Sequence, residues 1–328
     1  MRRFLAAACL LLGGALSALP ALTVKLGTLA PEGSPWVDSL RRVAAEWERA
    51  SGGSVQLKIY AGGIAGEEAD MIRKLRIGQL QAAALTQLGL SLIEPDILTV
   101  SAPFLVRDDR ELDRVLAATR PFYAGQFERR GYRLLTLAKA GWVHFFAREA
   151  IVVPADLKRL KLAVPDGDDQ FVETWRRLGF NAFSLSINDL LTGLQAGLAD
   201  ACYAPLLAAA SFQWFGAVRY MPSLAVAPVL GGVLLSDRAA GEIPPELLPT
   251  LLESFLALED SLNTRMAALE SEALVVMRKH GLTVVPVPPE AAVKWHELGV
   301  SGSRLMIGKS LSQASYDRIL AVLEEARR

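Results

Sequence analysis

The chain has few of the residues on which metal, redox and disulfide chemistry depend. Its 328 residues include two cysteines and three histidines, and its 35 basic side chains balance 35 acidic ones. Beyond the N-terminal segment only Cys202 remains, which excludes an internal disulfide and a Cys-x-x-Cys site in the mature chain. The zero net charge gives no field that would attract nucleic acid or an anionic membrane. We therefore expect no nucleic-acid partner.

Motifs for common enzyme chemistry are also missing. His144, His280 and His296 lie far apart, without the spacing of a zinc site. The glycine-rich residues 62–66 lack the lysine of a phosphate loop and precede two glutamates, which would repel phosphate. There is no Gly-x-Ser-x-Gly nucleophile elbow. The sequence favours a protein that is not an enzyme and needs no cofactor or metal.

Long apolar runs are confined to the N-terminus. Arg2 and Arg3 precede an apolar run from Phe4 to about Leu16, followed by small residues. This is the pattern of a secretory signal peptide, which we place at residues 1–21. Retention of the segment as an N-terminal anchor is the alternative. No later segment has the ~20 apolar residues needed to span a bilayer, so the sequence predicts an exported, periplasmic protein.

Short apolar strands alternate with helices along the rest of the chain. Residues 24–28 and 55–60 have the alternation of strands, and a helical pattern lies between them. Repetition of this order indicates βαβ units and a mostly parallel sheet, and it restarts at Leu160 as a second lobe requires. We predict an α/β fold of two lobes. Lobe I is residues 22–144 plus 231–272, and lobe II is residues 145–230 plus 273–328.

One predicted helix is much longer than the others. A helical period of apolar residues runs from about Pro245 to His280, which at 1.5 Å per residue makes a helix of about 50 Å. That length exceeds one small lobe, so we expect this helix to brace both. The chain is expected to cross between the lobes near residues 142–148 and again near residues 228–233.

Several short motifs occur in a characteristic order. After a Pro-Ala-Asp-Leu-Lys turn, a strand ends at Pro165, a helix carries Trp175, and a second helix leads through Gly197 and Asp200 into another strand. This order resembles that of the DctP-type substrate-binding subunits of tripartite ATP-independent periplasmic (TRAP) transporters. The resemblance implies a periplasmic binding protein fold with hinge-crossing strands. It also implies a small-molecule ligand in the interlobe cleft, delivered to small and large membrane subunits.

The chain departs from the family pattern where members hold a carboxylate. In that family an arginine on the strand after the turn clamps the carboxylate of the ligand, and this position is Ala163 here. A second arginine of some members falls on Val143, and a cleft asparagine falls on Ala204. A buried carboxylate without such partners loses solvation with nothing to offset it. The chain therefore resembles a subgroup that lacks the carboxylate-binding arginine.

Aromatic residues stand near these apolar positions, which favours an apolar or weakly polar ligand. The alternative is that they form ordinary lobe cores. The residues that we predict to line the site are Trp36, Gln87, Trp142, Val143, His144, Ala163, Asp168, Phe171, Tyr203, Ala204 and Trp214.

Other functions stay open. One is a periplasmic ligand sensor that presents the same cleft to a receptor. Another is a transport receptor for an organic acid held by a substitute anchor, Arg148 or His144. The resemblance to members proposed to bind hydrophobic molecules also implies a possible tetratricopeptide-repeat partner protein.

Overall fold

The structure, a computed structural model, describes residues 21–165 and 169–328, apart from the side chains of Pro165 and Asn188. The strands are β1 (Leu22–Thr28), β2 (Val55–Tyr60), β3 (Ala82–Thr86), β4 (Tyr132–Ala147), β5 (Lys161–Pro165), β6 (Asn181–Leu185), β7 (Ala201–Pro205), β8 (Tyr220–Pro222), β9 (Ala227–Ser236) and β10 (Thr283–Val285).

The helices are α1 (Pro35–Ala50), α2 (Glu68–Ile77), α3 (Gln87–Ser91), α4 (Asp109–Glu128), α5 (Pro154–Lys158), α6 (Asp169–Arg177), α7 (Ile187–Gln195), α8 (Leu206–Ser211), α9 (Asp237–Glu242), α10 (Leu248–Lys279), α11 (Pro289–Met306) and α12 (Gln313–Ala326). Short 3₁₀ helices cover Pro95–Ser101 and Trp214–Gly216. The predicted signal peptide and Asp168 lie outside the described residues, apart from residue 21. No helix in the described ranges has the length and apolar character that crossing a membrane requires.

The described strands form one sheet with the order β2-β1-β3-β9-β4-β7-β5-β6, and β8 and β10 extend it from the end of β4. The strands β2, β1 and β3 are parallel to one another, and so are β7, β5 and β6. Between these two groups, β9 and β4 run antiparallel to their neighbours. The predicted α/β fold with hinge-crossing strands is confirmed.

Strand β4 belongs to both halves of the molecule. Its first residue, Tyr132, pairs with Ser236 of β9, and its last, Ala147, pairs with Ala201 of β7. The predicted lobe boundaries at 144/145, 230/231 and 272/273 fall inside β4, β9 and α10.

The apolar cores lie on two faces of this sheet. On one face a single large cluster includes Leu90 and Phe127 from lobe I as well as Phe145 and Trp175 from lobe II. The other face holds two further clusters among the described residues, one beneath α1 and α10 and one beneath α7 and α8. Alternate residues of β5 and β7 point to opposite faces, as the period of two of a strand requires.

The long helix α10 braces both lobes, as predicted. Its 32 residues span about 48 Å. Phe255 and Leu262 pack in the lobe I cluster, and Met277 packs in the lobe II cluster. Because residues from both ends of one rigid helix are buried in different cores, the helix ties the two lobes together.

Helix α10 also supplies hydrogen-bond partners to the backbone of β4 along the edge that no described strand covers. The backbone N–H groups of Leu137, Lys139 and Trp142 donate to side chains of α10, over 2.8, 2.8 and 2.7 Å. The acceptors are Glu259, Asn263 and Glu270. A buried backbone donor without a partner is costly, so these polar side chains replace a missing neighbouring strand.

The C-terminal segment divides between the lobes. Helix α11 packs on α5 and α6 of lobe II, where the whole C-terminal segment was expected. The structure places α12 against α4 of lobe I instead. Asp96 accepts hydrogen bonds from the N–H and hydroxyl of Ser312, and Arg327 forms an ion pair with Glu111. These buried polar contacts hold the end of the chain on lobe I.

Candidate functional site

The carboxyl ends of two groups of three parallel strands face the same region. In lobe I, β1, β2 and β3 are parallel, and β3 ends at Thr86, which pairs with Gly231 of β9. In lobe II, β7 runs antiparallel to β4 and ends with Pro205 opposite Val143, and β5 and β6 are parallel to β7. Ligands of α/β proteins bind beyond the carboxyl ends of strands, so this region is the candidate site.

We call residues 138–143 of β4 and 227–231 of β9 the crossing segment. Gly231 pairs with Ala138 at its lobe I end, and Ala227 pairs with Val143 at its lobe II end. Five residues of strand separate the two ends, which is about 17 Å. The two groups of strand ends therefore face each other across this length of the crossing segment.

Trp36 lies against the lobe I end of the crossing segment. It follows Ser34, whose side chain caps α1 by accepting from the N–H of Val37. A Cβ atom on Gly231 would come within 2.6 Å of the Trp36 ring. The half-buried indole therefore packs directly on the backbone of β9, and only glycine leaves room for it.

Gln87 is held beside the same strand. Its side-chain oxygen Oε1 accepts a hydrogen bond of 2.6 Å from the hydroxyl of Ser101 and one of 3.2 Å from the N–H of Leu230. Because Gln87 directly follows β3, its side chain continues the hydrogen-bonded ladder between β3 and β9. This arrangement places a polar amide at the carboxyl end of the strand.

Next to Gln87, the strand end is occupied by a carboxylate. Glu68 accepts hydrogen bonds from the N–H and the hydroxyl of Thr86, over 2.5 and 2.8 Å. Glu68 begins α2, where a carboxylate also interacts favourably with the helix dipole. A negative charge is thus fixed at this strand end.

Ala163, Ala204 and Trp214 lie together on the face of the lobe II sheet that α7 and α8 cover. All three are fully buried in one apolar cluster. Ala163 pairs with Cys202, and Ala204 pairs with His144 across the strands. The structure therefore brings the predicted arginine and asparagine positions close together, within a core.

Trp142, Val143, Phe171 and Tyr203 lie in the large cluster on the opposite face. Tyr203 contacts Phe145 and Trp175, with ring centroids 5.8 and 6.2 Å apart. These tilted and edge-on contacts are typical of an aromatic core. The predicted aromatic residues are thus divided between two faces of the sheet and do not form one continuous lining.

His144 is buried on the same face as Ala204. Burial lowers the pKa of its ring to about 4, against the opposing effect of the carbonyls of Leu224 and Pro222. The ring is therefore neutral at neutral pH. Its Nδ1 atom has no hydrogen-bond partner among the described residues. A neutral imidazole does not supply the positive charge that an organic acid would need.

Arg148 does not reach the candidate site. It follows β4, and the chain has run about 17 Å along the strand from Val143 at that point. Its guanidinium donates to the backbone carbonyl of Leu194 at the end of α7. Strand β4 carries Arg148 to the far end of lobe II, so the alternative that it anchors a carboxylate in the cleft is not confirmed.

Four residues near the site were not predicted to line it from the sequence: Glu68, Ser101, Gly231 and Glu270. Glu270 lies on the apolar side of a helical pattern, four residues after Met266, and a buried acid there is a signal that sequence can provide. Ser101 and Gly231 carry no such signal, because both act through contacts with residues distant in sequence.

Metal chemistry finds no support in the described part of the chain. No group of three or more His, Cys, Asp or Glu side chains there is placed to hold a metal ion. The thiol of Cys202 is buried, and burial raises its pKa to about 12. A thiol in this state is a small apolar side chain.

A family model for DctP, described as bacterial extracellular solute-binding protein, family 7, matches residues 26–300. The chain belongs to this family. The DctP family consists of solute-binding proteins and not of enzymes, which agrees with the absence of catalytic motifs. The match begins within β1 and includes the other five converging strands and the whole crossing segment.

Curated relatives have low sequence identity to this chain. A solute-binding protein of Roseobacter denitrificans is 26% identical over 194 residues, which is 56% of this chain and 57% of that protein. An uncharacterized protein of Sinorhizobium fredii is 24% identical over 67% of this chain and 42% of its own length. The chain thus spans about half the length of the curated relatives that it matches.

Solved structures share the fold. A TRAP periplasmic solute-binding protein from Ochrobactrum anthropi has a TM-score of 0.84 at 19% identity, over 94% of this chain and 96% of its own. Another, from Xanthobacter autotrophicus Py2 with bound β-D-galacturonate, has a TM-score of 0.76 at 20% identity, over 91% and 98%. This DctP-family chain therefore has the fold of TRAP solute-binding proteins.

Proposed function

We propose that this chain is the periplasmic receptor of a TRAP-type transporter and binds an uncharged, apolar or weakly polar solute between its lobes. The solute lies at the crossing segment, and the lobes close on it by hinge motion. The closed receptor delivers it to small and large membrane subunits. The segment at residues 1–21 acts as the signal for export.

One observation supports a ligand without an acid group. The segments that directly follow the six converging strands contain no lysine or arginine; they are residues 29–34, 61–67, 87–91, 166–168, 186–187 and 206–211. The same segments contain Glu32, Glu67, Asp166 and Asp168. These segments therefore offer a carboxylate like charges and no counter-charge, and the lysine of the crossing segment, Lys139, is already paired with Asp109 and Asp113.

Ala163, the residue at the family's position for the carboxylate-clamping arginine, supports the same conclusion. Ala163 is completely buried, and the cluster around it includes Leu190 and Trp214. The site therefore offers an acid neither the usual anchor nor a substitute from Arg148. We propose that Trp36 and Gln87 contact the ligand directly. Trp142, Val143, His144, Phe171, Tyr203, Ala204 and Trp214 then support the walls, and Asp168 lies in the segment that follows β5.

A receptor for an organic acid is the second candidate. The Xanthobacter autotrophicus protein with the same fold binds β-D-galacturonate, which is an acid. In this chain His144 would be the remaining polar group near the lobe II strand ends. Since its ring is neutral at neutral pH, it would bind an acid only by a neutral hydrogen bond.

The molecule that remains bound to the protein after purification from its native host without denaturation decides between these candidates. Extraction with organic solvent followed by mass spectrometry should identify a stoichiometric apolar or weakly polar compound. A small carboxylic acid in the extract would contradict the proposed ligand class and leave the receptor function in place.

The transport role has its own test. Genes for a pair of multi-span membrane proteins beside this one would support delivery to membrane subunits. A neighbouring sensor-kinase gene would support a ligand sensor instead. A neighbouring gene for a tetratricopeptide-repeat protein would identify the additional partner that the resemblance implies.

A further inference from the structure

We infer that Gln87 determines the specificity of the site by donating a hydrogen bond from its amide nitrogen to a neutral oxygen of the ligand. Ser101 is the positioning residue that holds the amide in this orientation. The inference rests on the proposed function and adds to it the polar group that the ligand carries.

The orientation of the Gln87 amide follows from its partners. The N–H of Leu230 can only donate, so the side-chain atom that faces it, at 3.2 Å, is the oxygen Oε1. The hydroxyl of Ser101 donates to the same oxygen over 2.6 Å, and Ser101 is fully buried. With two donors on its oxygen, the amide is fixed, and its nitrogen points away from both.

The amide nitrogen of Gln87 is a free donor. No acceptor among the described residues bonds to it, and it is not one of the buried polar atoms that lack a partner. Since Gln87 is half-buried and its amide nitrogen is not among the fully buried atoms, this nitrogen is accessible at the end of β3. The amide lies next to Leu230 of the crossing segment. A ligand at that segment therefore meets the two N–H bonds of the Gln87 amide nitrogen.

The charge around Gln87 determines what kind of oxygen it selects. The Glu68 carboxylate is fixed on Thr86, the residue before Gln87, by two hydrogen bonds. Neighbouring like charges a few ångströms apart repel. A carboxylate of the ligand is therefore disfavoured at Gln87, and the oxygen that it binds belongs to a ketone, an amide or a hydroxyl group.

Trp36 contributes the apolar part of the same recognition site. Its ring packs on Gly231, the residue after Leu230, so the indole and the Gln87 amide contact consecutive residues of β9. The ligand class that this pair fits is a molecule with an apolar body and one neutral oxygen.

Four nine-carbon probes test the inference, namely 2-nonanone, 1-nonanol, nonanoate and n-nonane. Each is equilibrated with the purified protein, and the retained amount is measured by gas chromatography. The wild-type protein should retain the ketone and the alcohol above the alkane and the acid. Because a neutral hydrogen bond is modest, Gln87→Leu should reduce the ketone-to-alkane preference about three- to tenfold.

The Gln87→Glu variant tests whether residue 87 acts as a hydrogen-bond donor to the ligand or only as a polar side chain. Its carboxylate still accepts from Ser101 and Leu230, so the local structure is kept, but the outward donor becomes an acceptor. This variant should lose the ketone, which only accepts, and retain the alcohol, which also donates. Ser101→Ala should weaken the ketone preference, because one of the two donors that orient the amide is gone. Gln56→Leu, at an exposed position on the edge strand β2, is the matched control and should change nothing.

The contrary results separate the role of Gln87 from the proposed ligand class. Unchanged ketone preference in both Gln87 variants would overturn the role of Gln87 and leave the proposed ligand class standing. Preference of the wild-type protein for nonanoate would overturn the neutral oxygen and the proposed ligand class together. Failure to retain any of the four probes would also overturn both.

Discussion

The backbone N–H of Trp142 donates a 2.7 Å hydrogen bond to Oε1 of Glu270, which joins the crossing segment to the long helix. The preceding residue, Gly141, has a positive φ of 113°, and a Cβ atom there would lie 2.7 Å from the same oxygen. The contact thus requires glycine before Trp142. It fixes α10 at the point where β4 leaves lobe I.

The carboxyl of Glu270 is predicted to make the stability of the protein depend on pH. Burial raises its pKa to about 7, against the hydrogen bond from Trp142, and the nearby Asp109 raises it further. Between the usual value near 4.5 and 7, the folded state binds more protons than the unfolded state. The free energy of unfolding therefore falls as the pH rises through this window, by on the order of 3 kcal/mol.

Glu270→Gln should remove this dependence. The variant should be more stable than the wild type at pH 8 and should differ less from it at pH 5, as measured by urea unfolding. Glu272→Gln, an exposed position on the same helix, is the control. Equal differences between variant and wild type at the two pH values would contradict the role of the Glu270 proton.

Gly231→Ala should displace Trp36. The added methyl group would lie 2.6 Å from the ring, and overpacking of this kind costs about 1–3 kcal/mol. We expect a lower midpoint of unfolding, a red shift of tryptophan fluorescence and weaker retention of 2-nonanone. Gly216→Ala is the control, because nothing lies within 4 Å of a Cβ atom there. An unchanged fluorescence spectrum would show that Trp36 does not depend on Gly231.

Ala163→Arg should destabilise the protein strongly. Ala163 is completely buried among apolar side chains, and an unpaired buried charge costs about 3 kcal/mol or more. Ala196→Arg, at an exposed position at the end of α7, should be harmless. Thermal unfolding measures both. A stable Ala163→Arg protein that binds the native ligand unchanged would show that residue 163 does not line the site.

Arg148→Ala should leave ligand binding unchanged and lower stability slightly. The variant loses the hydrogen bond to the carbonyl of Leu194, which is worth about 0.5–1.5 kcal/mol. Retention of the native ligand by the purified variant checks the first part, and urea unfolding checks the second. Loss of the ligand would revive the organic-acid receptor, since Arg148 would then act at the site.

The residues predicted to line the cleft are divided between two faces of the sheet, which the sequence alone does not reveal. Tyr203 and Ala204 are adjacent in the chain and were both predicted to line the cleft, yet they point to opposite faces of β7. Alternation along a strand is readable from the sequence, but which face opens to a ligand depends on the helices that cover each face. Those helices are distant in sequence from β7.

Local sequence pattern by itself determined the alternation of strands and helices, the α/β class and the length of α10, because these depend on residues close together in the chain. The apolar residues at the family's carboxylate-binding positions were also readable there. Only the tertiary structure decided that Arg148 lies far from the cleft and that α12 returns to lobe I. It also decided that Leu230 and Ser101 orient Gln87. Each of these depends on contacts between residues far apart in sequence, which strand pairing and helix packing bring together.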